Sequence, residues 1–210
     1  MLVDVSIGEV IDKLTILDIK KSKIKSSEQL AAIEKEAVAL SAGREFMNSQ
    51  IMSFWYSLLV FVNTRIWNLT DEVKSFSWAS DPERFAEVSN KIFELNQQRF
   101  RLKERFNKSC SSEIQEQKSY AKTVLWIRLD KPTAEDLALV NEYSLRYDEI
   151  FLVCDCSQKE WLPEYMMHPF TIVNDHEVPD SAIDVKSLRS EYEDNSVFTR
   201  VSHSASVLST

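Results

Sequence analysis

Two glycines, Gly8 and Gly43, serve a chain of 210 residues. A loop that cradles phosphate needs glycine so that backbone N–H groups can approach the anion, and neither G-x-G-x-x-G nor G-x-x-x-x-G-K occurs. The ordinary nucleotide-binding folds are therefore disfavoured. What replaces glycine-rich punctuation is helical periodicity, and composition supplies the apolar material for it, with 44% hydrophobic residues. That is enough for a sizeable core without disulfides or metals.

Net charge is −8 and the pI about 5.0, so the chain as a whole repels nucleic-acid phosphates and no nucleic-acid partner is expected. Three cysteines, Cys110, Cys154 and Cys156, carry no C-x-x-C spacing, which points to a reducing cytoplasm and to neither a disulfide framework nor a zinc site. No cofactor is expected. The start MLVDVSIGEV lacks the order of a signal peptide. The apolar run from Ile51 to Val62 is shorter than the roughly 20 helical residues that cross a bilayer, so it reads as core and not as a transmembrane segment.

Ser6-Ile7-Gly8-Glu9 has the form of a capping box, in which hydroxyl and carboxylate satisfy reciprocal N–H groups at a helix start. The first helix runs from there to about Ile24, with Ile7, Val10, Ile11, Leu14 and Leu17 on one face. Asp18 falls inside that face. A second helix starts at Ser26/Ser27, carries Leu30, Ile33, Ala37 and Leu40, and is expected to stop at Gly43. A third spans about Gln50 to Phe76 on a Trp55, Leu58, Val62, Ile66, Leu69, Val73 seam. Asn63, Trp67 and Asp71 form a polar line along its edge. Ser80-Asp81-Pro82-Glu83 opens the fourth with a cap and a first-turn proline.

The fourth helix places Phe85, Val88, Ile92, Leu95, Arg99, Leu102 and Phe106 three and four apart, as in a coiled-coil seam. An arginine sits in the middle of it. A buried charge without a partner is very costly, so Arg99 is expected to pair with Asp18, or with a neighbouring carboxylate such as Asp12 or Asp71. Two readings follow. Arg99 is a register-fixing ion pair, or Lys13, Arg99, Arg101 and Arg105 surround a pocket for a small anion, since guanidinium forks suit carboxylate and phosphate.

The ordered segments SIGEVIDKLTILDIKKSKI, VNTRIWNLTDEV, LNQQRFRLKERFN and EIQEQKSY resemble an uncharacterised domain family of bacteria and viruses, over about residues 3–120. The matching positions are Asp12, Lys13, Thr15, Lys20, Asn63, Trp67, Asp71, Asn96, Arg99, Arg101, Lys103, Asn107, Lys118, Ser119 and Tyr120. Gln117 stands where the family pattern is usually acidic. The resemblance implies small helical proteins. It also implies a link to surface-polysaccharide synthesis, through the glycosyltransferases and tetratricopeptide repeats beside which such domains occur.

After Tyr120 the period changes. KTVLWIRLD, EIFLVCD and FTIVND read as strands of a β-α-β-α-β layer, with Thr133-x-x-Asp136 and Ser157-x-x-Glu160 as caps between them. Three parallel strands are expected, with Asp130, Cys154-Asp155-Cys156 and Asn174-Asp175-His176 at their carboxyl ends. An acidic set there suits Mg²⁺ in principle, but acidic residues commonly begin loops and cap helices, and no metal site is assigned. His168 and His203 lack ligand spacing.

The expected architecture is α+β: an antiparallel helical bundle over 1–120, a small α/β domain over 121–177, and an extended acidic and serine-rich tail over 178–210. Two functions are carried forward. One is an accessory or assembly protein acting through a protein partner or self-association. The other is an enzyme or sensor that binds a small anionic ligand in the bundle through Asp12, Lys13, Asp18, Asn63, Trp67, Asp71, Arg99, Arg101 and Lys103.

Overall fold

The structure is a computed structural model that describes residues 4–114, 122–130, 133–154, 170–173, 178–179 and 182–184. The chain divides into two compact units, Met1–Gln117 and Lys118–Thr210. The first is helical among its described residues: α1 (Ile7–Lys23), α2 (Ser27–Ala39), a short 3₁₀ turn (Ser41–Phe46), α3 (Gln50–Val73) and α4 (Pro82–Ser109).

Each helix starts where a side chain accepts a free N–H. Ser6 accepts from Glu9, Ser26 from Gln29, Ser49 from Met52 and Asp81 from Arg84, with Pro82 in the first turn of α4. The core of the unit is Ile11, Leu14 and Leu17 of α1, Trp55, Leu58, Leu59 and Val62 of α3, and Val88, Leu95, Leu102 and Phe106 of α4, all nearly excluded from water. The Trp55 and Phe106 rings meet edge to face, 5.7 Å between centroids. The apolar run Ile51–Val62 thus lies within α3 and supplies Met52, Trp55, Leu58, Leu59 and Val62 to the core, and no helix among the described residues is long and apolar enough to cross a membrane.

Gly43 does not stop a helix. It is buried inside the 3₁₀ turn, where an added Cβ would lie 2.5 Å from Val10 Cγ1 and 3.1 Å from Leu14 Cδ1, and its φ is not positive. Glycine is needed there for close approach to α1.

Among its described residues the second unit is a parallel sheet with a helix packed against it. β1 (Val124–Leu129), α5 (Ala134–Tyr143), β2 (Glu149–Cys154), β3 (Thr171–Val173) and β4 (Ile183–Asp184) give the strand order β3-β2-β1-β4. β1 pairs β2 in register Val124 with Glu149 through Leu129 with Cys154. Three of the strands fall on the runs read from sequence. The fourth, two residues long, lies in the stretch expected to be tail and pairs Ile127 with Ile183. Alternation on β1 turns Leu125, Ile127 and Leu129 toward Leu137, Val140 and Tyr143 of α5. The Thr133 and Asp136 cap closes reciprocally: Thr133 N–H and hydroxyl donate to Asp136 Oδ2 at 2.8 and 2.9 Å, and Asp136 N–H donates to Thr133 Oγ1 at 3.2 Å. The Ser157/Glu160 cap and the residues Asp155, Cys156, Asn174, Asp175, His176, His168 and His203 lie outside the described residues.

Candidate functional site

Arg99, Lys103 and Asn107 stand four residues apart on α4, hence on one face of it. All three reach α1. Arg99 forks Asp12, Nε to Oδ1 at 2.9 Å and Nη2 to Oδ2 at 2.5 Å. Lys103 Nζ donates to Glu9 Oε1 at 2.5 Å. Asn107 Oδ1 accepts the Gly8 N–H at 2.7 Å. The free N–H groups in the first turn of α1 are thereby satisfied, Ile7 by Ser112 Oγ at 3.3 Å, Gly8 by Asn107 and Glu9 by Ser6 Oγ at 3.2 Å. Gly8 is the contact point of the crossing, since a Cβ on it would lie 2.5 Å from the Lys103 carbonyl oxygen. The Glu9 carboxylate, expected to close the capping box, is engaged by Lys103 instead.

Asp12 is the centre of this face. Its side chain is 3% exposed, and its Oδ1 also accepts from Asn63 Nδ2 of α3 at 2.9 Å. The same amide group donates to Thr15 Oγ1 at 2.7 Å, and Thr15 in turn donates to the Asp12 carbonyl at 2.7 Å. A carboxylate this far from water requires both a counter-charge and hydrogen bonds on its remaining lone pairs, and the Arg99 fork with Asn63 supplies them. Arg99 itself is 27% exposed, so the pair has a buried anion and a cation that reaches the surface.

Asp18 is not the partner of Arg99. It lies on the inward side of α1 but at its rim, where Arg44 Nη2 donates to both its oxygens at 2.8 and 3.1 Å and the Tyr56 hydroxyl donates to Oδ2 at 2.5 Å. Burial, reinforced by that bond to Asp18, pushes the Tyr56 hydroxyl well above the ordinary tyrosine value. The structure brings together Asp12, Asn63, Arg99 and, one turn on, Lys103. Two other candidates are engaged elsewhere. Lys13 is exposed and pairs with Glu36 of α2 at 2.6 Å, holding that carboxyl below its usual range. Asp71 is exposed and pairs with Lys74 at 3.2 Å. Trp67 and Arg101 are half-buried, and Arg105, read as a pocket wall, is buried.

Sequence reasoning missed Glu9 as an ion-pair partner and missed the Arg44, Tyr56 and Asp18 group. The four-residue spacing of Arg99, Lys103 and Asn107 was the available signal for the first. Nothing in the sequence pointed to the second. Among the described residues no group of three His, Cys, Asp or Glu lies close enough to hold a metal ion.

No curated protein and no solved structure matches the chain. A family-level match covers residues 1–138, which takes in the helical unit, β1 and the start of α5. The chain belongs to the family of unknown function DUF6165.

Proposed function

We propose that this is an accessory or assembly protein that works by binding another protein or a second copy of itself, and not by catalysis on the polar face of α4. One observation carries the reading: Trp78 and Phe93 stand 63% and 65% exposed on the helical unit. Large aromatic side chains in water are characteristic of surfaces that a partner desolvates. The polar residues that a small-anion site would use support it from the other side, because Arg99, Lys103 and Lys13 are each already met by a carboxylate of the same unit. We further propose that the four helices form an antiparallel bundle. As α4 advances from Arg99 through Lys103 to Asn107, its partners on α1 retreat from Asp12 through Glu9 to Gly8, and the connection between α1 and α2 is short. A cytoplasmic place and a link to surface-polysaccharide synthesis complete the proposal, the latter resting on the family resemblance alone.

Sedimentation velocity across a wide concentration range, joined to partner capture, tests it. Trp78→Ser and Phe93→Ser are expected to abolish association while leaving the helical circular dichroism unchanged. A chain that stays monomeric at high concentration and captures the same proteins with and without these substitutions would sink the reading. The small-anion reading keeps one specific support, the solvent-facing part of Arg99 beside Lys103. Loss of function in the compensated pair Asp12→Leu with Arg99→Met, with the fold intact, would favour it.

A further inference from the structure

α2 is the least anchored helix of the first unit. Of its 13 residues only Ile33 and Ala37 are buried, and these pack with Leu30 and Leu40 against Leu17 of α1 and against Ile24, the residue that caps α1. Its other attachments are ion pairs in water, Lys13 to Glu36 with side chains 55% and 41% exposed, and Lys21 to Glu34 with side chains 33% and 61% exposed. Exposed pairs of this kind hold an element only weakly. Its two ends differ. Ile24 and Ser26 on the N-terminal side are in extended conformation, a three-residue hinge, whereas the 3₁₀ turn on the C-terminal side is fixed by Gly43 under Val10 and by Arg44 on Asp18.

We propose that α2 is a strap over a helix-docking groove on α1, and that the groove takes an amphipathic helix of the same chemistry in trans. The groove floor is Leu17, closed at the hinge end by Ile24, and its rims are Lys13 and Lys21. The occupant it selects therefore carries apolar residues at three- and four-residue spacing with acidic residues flanking them, as Leu30, Ile33, Glu34, Glu36 and Ala37 do in α2. The exposed remainder of α2, including Val38 at 63%, leaves the strap without a second layer to hold it down. Opening of α2 alone leaves the Asp12, Asn63 and Arg99 contacts between α1, α3 and α4 in place.

The proposal rests on the reading of this protein as a binder of other proteins, and its test is separate from the test at Trp78 and Phe93. Hydrogen exchange on the full chain is expected to show the amides of α2 exchanging about a hundredfold or more faster than those of α3 and α4, as expected of a locally opening element. A fluorescein-labelled peptide of residues 26–40, added in trans, is expected to bind saturably, and more tightly to an Ile33→Asp chain whose own strap is displaced. The same peptide carrying Ile33→Asp is expected to lose binding. If the Ile33→Asp chain does not fold, Glu34→Ala with Glu36→Ala loosens the strap from outside the core and serves in its place. Exchange of α2 only together with α3 and α4, or a loosened chain that binds no peptide while keeping its helical circular dichroism, would overturn the strap. If the Trp78 and Phe93 substitutions leave association unchanged while the peptide binds as expected, the aromatic surface is refuted and the groove stands.

Discussion

The pair between Asp12 and Arg99 allows a quantitative test of what the polar face of α4 does. Arg99→Met removes the fork and leaves a carboxylate, 3% exposed, with Asn63 as its remaining side-chain donor. Removing one partner of a buried pair costs about 3–5 kcal/mol, and the partial exposure of Arg99 argues for the lower end, about 3 kcal/mol. Asp12→Leu leaves the guanidinium, which reaches water, and an Asn63 amide that retains Thr15 Oγ1 as acceptor at 2.7 Å. Its cost is therefore smaller, about 1–2 kcal/mol. With both replaced, no charge is left buried, and stability is expected to return to within about 1 kcal/mol of the parent. The two single costs then exceed the double by about 3–5 kcal/mol, which is the coupling energy. Urea unfolding followed at 222 nm measures all four proteins, with equal m-values as the check that the denatured states are comparable. Additive costs, or an Arg99→Met cost below about 1 kcal/mol, would put this pair among surface ion pairs and refute the reasoning.

Gly8→Ala is expected to destabilise by about 1–3 kcal/mol, because the new methyl meets the Lys103 carbonyl oxygen at 2.5 Å. At an unconstrained helical position the same change gains about 1 kcal/mol, so the sign of the urea midpoint shift decides. For Tyr56 the folded-state hydroxyl titrates above the ordinary value of 10.0, so below that pH both folded and unfolded states keep the proton, and above it only the folded state does. Its contribution is present up to about pH 10 and is lost as pH rises further. The stability difference between parent and Tyr56→Phe should therefore shrink between neutral pH and about pH 11, and a constant difference in urea midpoints would contradict it. Thr133→Ala should cost about 1 kcal/mol by removing the acceptor for the Asp136 N–H at 3.2 Å, read as a lower thermal midpoint of the second unit.

Helix starts were legible because a cap is local: Ser6, Ser26 and Asp81-Pro82 announce themselves within four residues of chain. The place of Arg99 in the α4 seam was legible for the same reason, since periodicity needs only one helix. Which carboxylate it meets was not. Asp12 and Asp18 both lie on the inward side of α1, six residues apart, and the choice depends on where α4 crosses, which Gly8 and Asn107 set at the other end of the contact. The 3₁₀ turn Ser41–Phe46 was invisible to periodicity because it is too short to show one, and Arg44, which claims Asp18, lies in it. Gly43 was read through its backbone freedom, whereas it is the missing side chain that matters, a property of Val10 and Leu14 as much as of the glycine.

A polar signature in an otherwise apolar helix invites a search for a ligand, and here the chemistry argues first for the fold. Arg99, Lys103 and Asn107 meet a buried carboxylate, an exposed carboxylate and a backbone N–H of α1, three different partners whose common property is position along one helix crossing. A site tuned to one anion would converge its donors on a point. These groups, two donors and an acceptor, are spread along a line, which is what a crossing needs to exclude slipped registers: a slip of one turn one way sets Leu95 against the buried Asp12, and the other way draws Arg99 off its carboxylate. Function is then better sought where the structure leaves apolar groups exposed or loosely held: Trp78 and Phe93 in water, and α2 resting on α1 by two buried residues.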